Sequence, residues 1–250
     1  MRKLLLASAL LFGALPLMAG ETGCIYELKG PVEILKTGQE KWQPAMKGRP
    51  VAESDSIKTG AGAWCEILFK DGSFIKLEEE SEAAAEALKA SAEERIFSFS
   101  FLKGKALWMA ARLKGKAASK FSVRTPSVVC AVRGTDFSII FSTAGQTTIG
   151  LFEGKVALSL PAGRQADGGL DRELLAGGEA SADAGGLSVQ GRLSRLMKTE
   201  ERRYTKVKDR VENLRKRLEE REAFIDEYID RQRKKLLDFD ARREEKLRKR

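Results

Sequence analysis

The sequence predicts a mainly β protein: an irregular β-solenoid or two-layer β domain over residues 21–190, followed by a long C-terminal α-helix over 191–250 that is a candidate coiled coil. Three observations carry this reading. Short apolar runs punctuated by glycine fill the chain up to Gly191, and all six prolines precede Ala162. Beyond Gly191 there is neither glycine nor proline, and apolar residues recur every seven positions. At 250 residues the chain can bury one or two cores of ordinary size.

Residues 1–20 read as a cleaved secretory signal peptide. Arg2 and Lys3 supply the positive start, Leu4 to Leu15 is an apolar or small-residue run, and Ala19 and Gly20 offer a cleavage point. The competing reading is a retained anchor, but the stretch contains Pro16 and falls short of the roughly 20 apolar residues that span a bilayer. A lipid-modified start at Cys24 is disfavoured, because Glu21 stands where an apolar residue is required. The expected location is periplasmic or secreted. Export permits disulfides, and Cys24, Cys65 and Cys130 allow one bridge with one thiol left over. Cys65 and Cys130 sit in apolar, strand-like runs and read as buried small hydrophobes. There is no CxxC pair.

Many short strands follow. Ile57-Lys58-Thr59-Gly60 ends in a turn, Ala63 to Phe69 is apolar and partly alternating, and Asp71-Gly72 is a tight-turn dipeptide leading into Phe74-Ile75-Lys76-Leu77. A local pattern of an apolar residue, any residue and glycine recurs at Leu28-Lys29-Gly30, Leu102-Lys103-Gly104 and Phe152-Glu153-Gly154, at unequal spacing. Such corners suit glycine, which tolerates φ > 0 and close backbone approach. Propensity alone makes the Ala/Glu-rich Glu79 to Arg95 helical. The segment Pro161 to Gly186 reads as loop, with one short strand near Glu173–Leu175.

Over 191–250, Met197, Tyr204, Val211, Leu218, Ile225, Gln232 and Phe239 stand seven apart. A second seam, Leu193, Val207, Leu214 and Tyr228, is broken by Glu200, Arg221 and Lys235. This heptad pattern predicts one helix of about 55 residues, roughly 80 Å long. With Met197 at position a, Arg203, Arg210 and Arg217 fall at g; a parallel homodimer sets Arg203 against Lys208 and Arg210 against Arg215 at e, which opposes self-pairing, and only Arg217 with Glu222 attracts. The helix is expected to dock on or project from the β domain, or to pair with an acidic partner helix. From Arg192 onward there are 22 basic and 14 acidic side chains, which accounts for nearly all of the formal net charge of +9.

The absence of histidine removes the commonest general base and metal ligand and any ordinary Ser-His-Asp or Cys-His arrangement. Acid pairs such as Asp167 with Asp171, and Glu78 with Glu80, read as solvated loop residues. Glu79, Glu80, Glu82 and Glu86 lack the spacing of a calcium loop, and Gly115-Lys116 lacks the upstream glycine of a phosphate loop. No catalytic, metal or cofactor-binding residue is predicted.

The run from Phe121 to Phe141, FSVRTPSVVCAVRGTDFSIIF, carries a resemblance. It is similar to the FecR domain family, exported β-rich domains of bacterial envelopes, through Phe121, Val123, Thr125, Pro126, Val132, Arg133, Gly134, Thr135 and Phe137. Gly154-Lys155-Val156 matches a following strand of the family, and Asp55 to Gly60 with Asp71-Gly72-Ser73 match its preceding turns. The resemblance implies an all-β, solenoid-like domain without catalytic residues, and a strand at Ala83–Leu88 against the helical propensity there. Founding members are membrane-spanning regulators that relay an iron-uptake signal to a sigma factor. This chain is expected to lack the cytoplasmic segment ahead of a membrane helix and to carry a long basic helix instead.

The expected function is that of an exported, non-enzymatic envelope interaction or scaffold module, without a cofactor. The alternative is a periplasmic sensor-regulator of the FecR type that signals to a membrane or sigma-factor system. Expected partners are an envelope protein or an anionic envelope surface or polymer, with helix-mediated association through Arg203, Arg210 and Arg217. Nucleic acid is not expected, since export separates the basic helix from it. At the Arg133–Asp136 turn, Gly134 is expected to bend the chain between two strands while Arg133 and Thr135 satisfy backbone groups.

Overall fold

The computed structural model describes residues 22–91, 94–112, 118–161 and 172–248. The expected signal peptide lies outside the described residues, as do Gly115, Lys116, Asp167 and Asp171. The chain is mainly β, with seventeen strands and two C-terminal helices among the described residues.

The strands form two open layers that share one member. Numbered in chain order, the first layer runs β4 (Pro50–Val51), β1 (Gly23–Lys29), β6 (Trp64–Phe69), β7 (Phe74–Leu77), β9 (Glu94–Met109), β12 (Asp136–Phe141), β13 (Thr147–Glu153), β16 (Glu179–Asp183) and β17 (Gly186–Gln190). The second runs β3 (Gln43–Pro44), β2 (Val32–Leu35), β5 (Ser56–Thr59), β8 (Glu82–Ala90), β9, β10 (Ala118–Arg124), β11 (Val129–Val132), β14 (Lys155–Ser159) and β15 (Arg172–Leu175). All pairings are antiparallel except β9 with β10. The 16-residue β9 passes from one layer to the other. Its bend falls at Gly104, where φ is +90° and a Cβ would lie 2.3 Å from Ser81 Oγ.

Alternation builds the space between the layers. Phe97, Phe99, Phe101, Phe121 and Val123 from one layer meet Phe69, Trp108, Phe137 and Leu151 from the other, all buried. Trp108 lies flat over Phe137, with ring centroids 6.4 Å apart, while Phe101 meets it edge-on at 5.9 Å. Cys65 and Cys130 are buried free thiols in this core. Burial pushes both thiols upward, Cys130 to about 12, so neither is a thiolate near neutral pH.

In the β region one expectation is met and one is corrected. The Ala/Glu-rich segment is the strand β8, as the family resemblance implied against its helical propensity. Its inward positions Ala83, Ala85 and Leu88 pack against the phenylalanines of β9, and a pleated half-buried surface outweighs a few tenths of a kcal/mol per residue of propensity. The segment read as loop up to Gly186 contains β16, whose small Ala180 and Ala182 fill the core.

The single helix of about 55 residues is also corrected. Two helices, α1 (Arg195–Glu220) and α2 (Phe224–Arg248), meet at a break over 221–223. No glycine or proline causes it. The turn, held by the Phe224 N–H donating to the Arg221 carbonyl at 3.0 Å, lets Ile225 and Ile229 reach the β domain, where both are buried. Burying two branched side chains gains several kcal/mol, more than the few helical hydrogen bonds forgone. Both helices lie on the outer face of the first layer. There Met197, Tyr204, Val211, Leu214, Ile225 and Ile229 pack on Cys24, Leu68, Phe74, Leu107, Met109 and Phe152. The heptad seam therefore faces the chain's own sheet. No described helix is long and apolar enough to cross a membrane.

Candidate functional site

The signature turn lies at the edge of a cleft of about 420 Å³ between α1 and the first layer, lined among others by Asp71, Arg112, Gly134, Asp136, Glu153 and Arg215. It joins β11 to β12. At Gly134 φ is +62°, and a Cβ there would lie 2.1 Å from Arg112 Cγ. Arg112 Nε donates to the Gly134 carbonyl at 3.1 Å. Gly154 faces the same turn at φ +81°, with room for no Cβ, since one would come within 2.9 Å of the Gly134 oxygen. Thr135 is fully buried, and its hydroxyl donates to the Lys155 carbonyl at 3.1 Å. One half of the expected turn chemistry thus falls to Thr135, and the other to Arg112, while Arg133 is exposed.

The remaining signature residues are structural. Thr125 is buried; its hydroxyl accepts from the Ser127 and Val128 N–H groups and shares a 2.8 Å hydrogen bond with Thr147. Pro126 is the exposed corner beside it. Val132 and Phe137 are buried in the core.

The next residue, Asp136, connects the turn to the arm. It is 5% exposed and accepts a hydrogen bond from the Tyr204 hydroxyl at 3.0 Å, with Arg215 3.9 Å away. Burial raises the Asp136 pKa, opposed by Arg215 and by the Tyr204 hydrogen bond. Tyr204 stacks on Phe152 at 5.0 Å, and its own pKa is raised by burial and by Asp136. Lys208 pairs with Glu153, which holds the Glu153 carboxyl below its usual range. Arg215 donates to the carbonyls of Gly72 at 3.0 Å and Met109 at 3.2 Å. Behind the cleft-lining Asp71 and Ala111, Arg95 is buried and bonded to Asp71 at 2.5 Å and to the Ala111 carbonyl.

The three arginines proposed for partner contact separate. Arg210 forms a bidentate pair with Glu66, at 2.6 and 2.8 Å, on a carboxylate only 2% exposed. That pairing raises the Arg210 pKa. Arg203 bonds to Glu200 at 3.0 Å on its own helix, and Glu200 in turn meets Lys105 of the sheet at 3.3 Å. Arg217 is exposed in the last turn of α1. Sequence reasoning missed Arg112, Asp136, Glu66 and Arg215. Two signals pointed toward the contact: the polar aromatic Tyr204 in the apolar seam, and Glu200 interrupting the second seam. Among the described residues, no group of three or more histidine, cysteine or acidic side chains is placed to hold a metal ion.

Fold and site together define a class: an open two-layer β domain with a basic helical arm docked on it, joined by Tyr204 to Asp136 at the end of the Arg-Gly-Thr-Asp turn. Residues 55–157 match the family model described as FecR protein. The crystal structure of a candidate anti-sigma factor from Parabacteroides distasonis ATCC 8503, at 1.65 Å resolution, is 17% identical, with a TM-score of 0.43 over 55% of this chain and 59% of that one. A second such structure from that organism, at 2.50 Å, gives the same values. The likeness therefore spans less than two thirds of those chains. No curated protein matches this chain significantly.

Proposed function

We propose that the chain is a FecR-type regulator: an exported, non-enzymatic module that receives a signal by binding and passes it by protein contact to a membrane or sigma-factor system. The observation that supports this most is the match to the FecR family model over residues 55–157, with Asp136 of the signature turn hydrogen-bonded to Tyr204 of the helical arm. Tyr204, Lys208 and Arg215 belong to the arm, and their partners Asp136, Glu153 and Gly72 belong to the β domain. In this reading a partner that grips the turn competes with the arm for the same groups, so binding and arm position are linked. The paired, mixed-charge cleft suits such a latch better than a reaction, because its acids and cations already satisfy one another.

The broader reading, an envelope scaffold, differs in having no transcriptional consequence. Deleting the gene in its host is expected to change a discrete set of transcripts that share a promoter element. The latch variant Tyr204→Phe/Arg215→Ala, placed at the native locus, should shift the same set. A transcript profile unaltered by deletion overturns the regulator reading in favour of the scaffold.

A further inference from the structure

The far half of α2 carries an apolar and basic surface that packing on the β domain leaves largely exposed. Ile225 and Ile229 are buried, but Leu236, Leu237 and Phe239 further along are 40%, 64% and 64% exposed. Arg231, Arg233, Lys234, Lys235 and Arg242 are exposed around them. Counted through the end of the sequence, Arg231 to Arg250 holds ten cations and four acids. On the β domain, Met46 is 41% exposed and shares a groove of about 540 Å³ with Leu236, whose rim includes Lys36, Lys47, Arg49 and Arg233. Three of these are paired within the fold, Lys36 with Asp55, Lys47 with Glu27 and Arg233 with Asp230.

From this surface we propose that α2 lies on an anionic lipid bilayer, with Leu236, Leu237 and Phe239 entering the headgroup boundary and Lys234, Lys235 and Arg242 on the acidic headgroups. An acidic polymer would be served by the charge alone and leaves three large exposed apolar side chains unexplained. A partner helix would want a narrow seam. At 100° per residue, Leu236 lies between Leu237 and Phe239, and the three together span about 160° of the helix surface, wider than such a seam. The helix has the basic and apolar composition of interfacial helices, which lie on a membrane and do not span it.

The proposal does not rest on the regulator reading, and its failure would leave the transcript experiment standing. Its test is co-sedimentation of the full chain with vesicles of phosphatidylcholine alone or mixed with phosphatidylglycerol. Binding is expected only to the mixed vesicles. Lys234→Gln/Lys235→Gln should weaken it roughly tenfold or more, from the contribution of each cation at an anionic surface. Leu237→Ser/Phe239→Ser should weaken it at least about fivefold through lost apolar burial. These side chains are exposed, so circular dichroism and melting should not change, and the N-terminus is identical in every variant. A chain that stays in the supernatant overturns the proposal. So does an apolar variant that binds as well as the wild type, or wild-type binding to soluble dextran sulfate that matches its binding to the vesicles.

Discussion

Gly134 concentrates two demands on one residue. Its φ of +62° belongs to the left-handed region that side-chain-bearing residues adopt at a cost. The space where a Cβ would stand is filled by Arg112, whose guanidinium holds the Gly134 carbonyl. Gly154 presses on the same turn from the neighbouring hairpin. A substitution at Gly134 therefore meets backbone strain and expels a hydrogen-bond donor at once. Gly134→Val is expected to lower unfolding free energy by on the order of 1–3 kcal/mol in urea titration. An unchanged midpoint would mean that Arg112 moves aside freely and the turn relaxes, which would remove the structural reading of the signature.

At the scale of elements, the heptad pattern was legible as an apolar seam, but its partner was not. Periodicity reports which side of a helix is apolar and is silent on whether a second helix or a sheet covers it. The missing half of the information lies in β6, where Glu66, Ile67, Leu68 and Phe69 are all buried in succession. A strand apolar on both faces in an antiparallel sheet asks for a cover on each side, and α1 is the cover on the outer one. Glu66 on that face is matched by Arg210, which explains both an acid in a buried run and one cation of the basic helix. The break at 221–223 was illegible because no local residue encodes it; it follows from where Ile225 and Ile229 find burial. The β8 strand shows the same tertiary control over a helix-favouring composition, whereas Asp71-Gly72 and the strands beside it were readable because tight turns are locally encoded. The helix–sheet pairing is testable. Arg210→Ala leaves Glu66 buried with only Lys76 at 3.8 Å, and is expected to cost about 1–3 kcal/mol, a stranded carboxylate discounted for the arginine's partial exposure. Arg203→Ala and Arg217→Ala should change stability by less than about 0.5 kcal/mol. Adding Glu66→Leu to Arg210→Ala should recover part of the loss, and strictly additive losses across that double-mutant cycle would refute the coupling.

For the whole molecule, the arm is a third layer and not an appendage. The first β layer presents Cys24, Leu68, Phe74, Leu107, Met109 and Phe152 to it, and the entry to α1 is fixed from the β side. There Glu179 of β16 accepts from the Ser194 N–H at 2.7 Å, and the Ser194 hydroxyl caps the helix by accepting from Met197. Met197 then sits so close to Gly150 that a Cβ there would lie 2.7 Å from its sulfur. At the other end, Tyr228 bonds to the Tyr26 carbonyl and Lys70 pairs with Asp226 at 2.8 Å. A chain ending at Gly191 would keep every strand and lose this cover. Each large side chain uncovered forfeits on the order of 1–2 kcal/mol, and several together rival the total stability of about 5–15 kcal/mol typical of a domain. The exposed surface would also be one contiguous apolar patch, which favours association. The truncated chain is therefore expected to be aggregated, or to bind a hydrophobic dye strongly and melt without cooperativity, in size-exclusion and calorimetric measurements. A monomeric, dye-silent fragment with a sharp transition would show that the β layers are self-sufficient, and that the heptad seam serves some surface other than the one it covers.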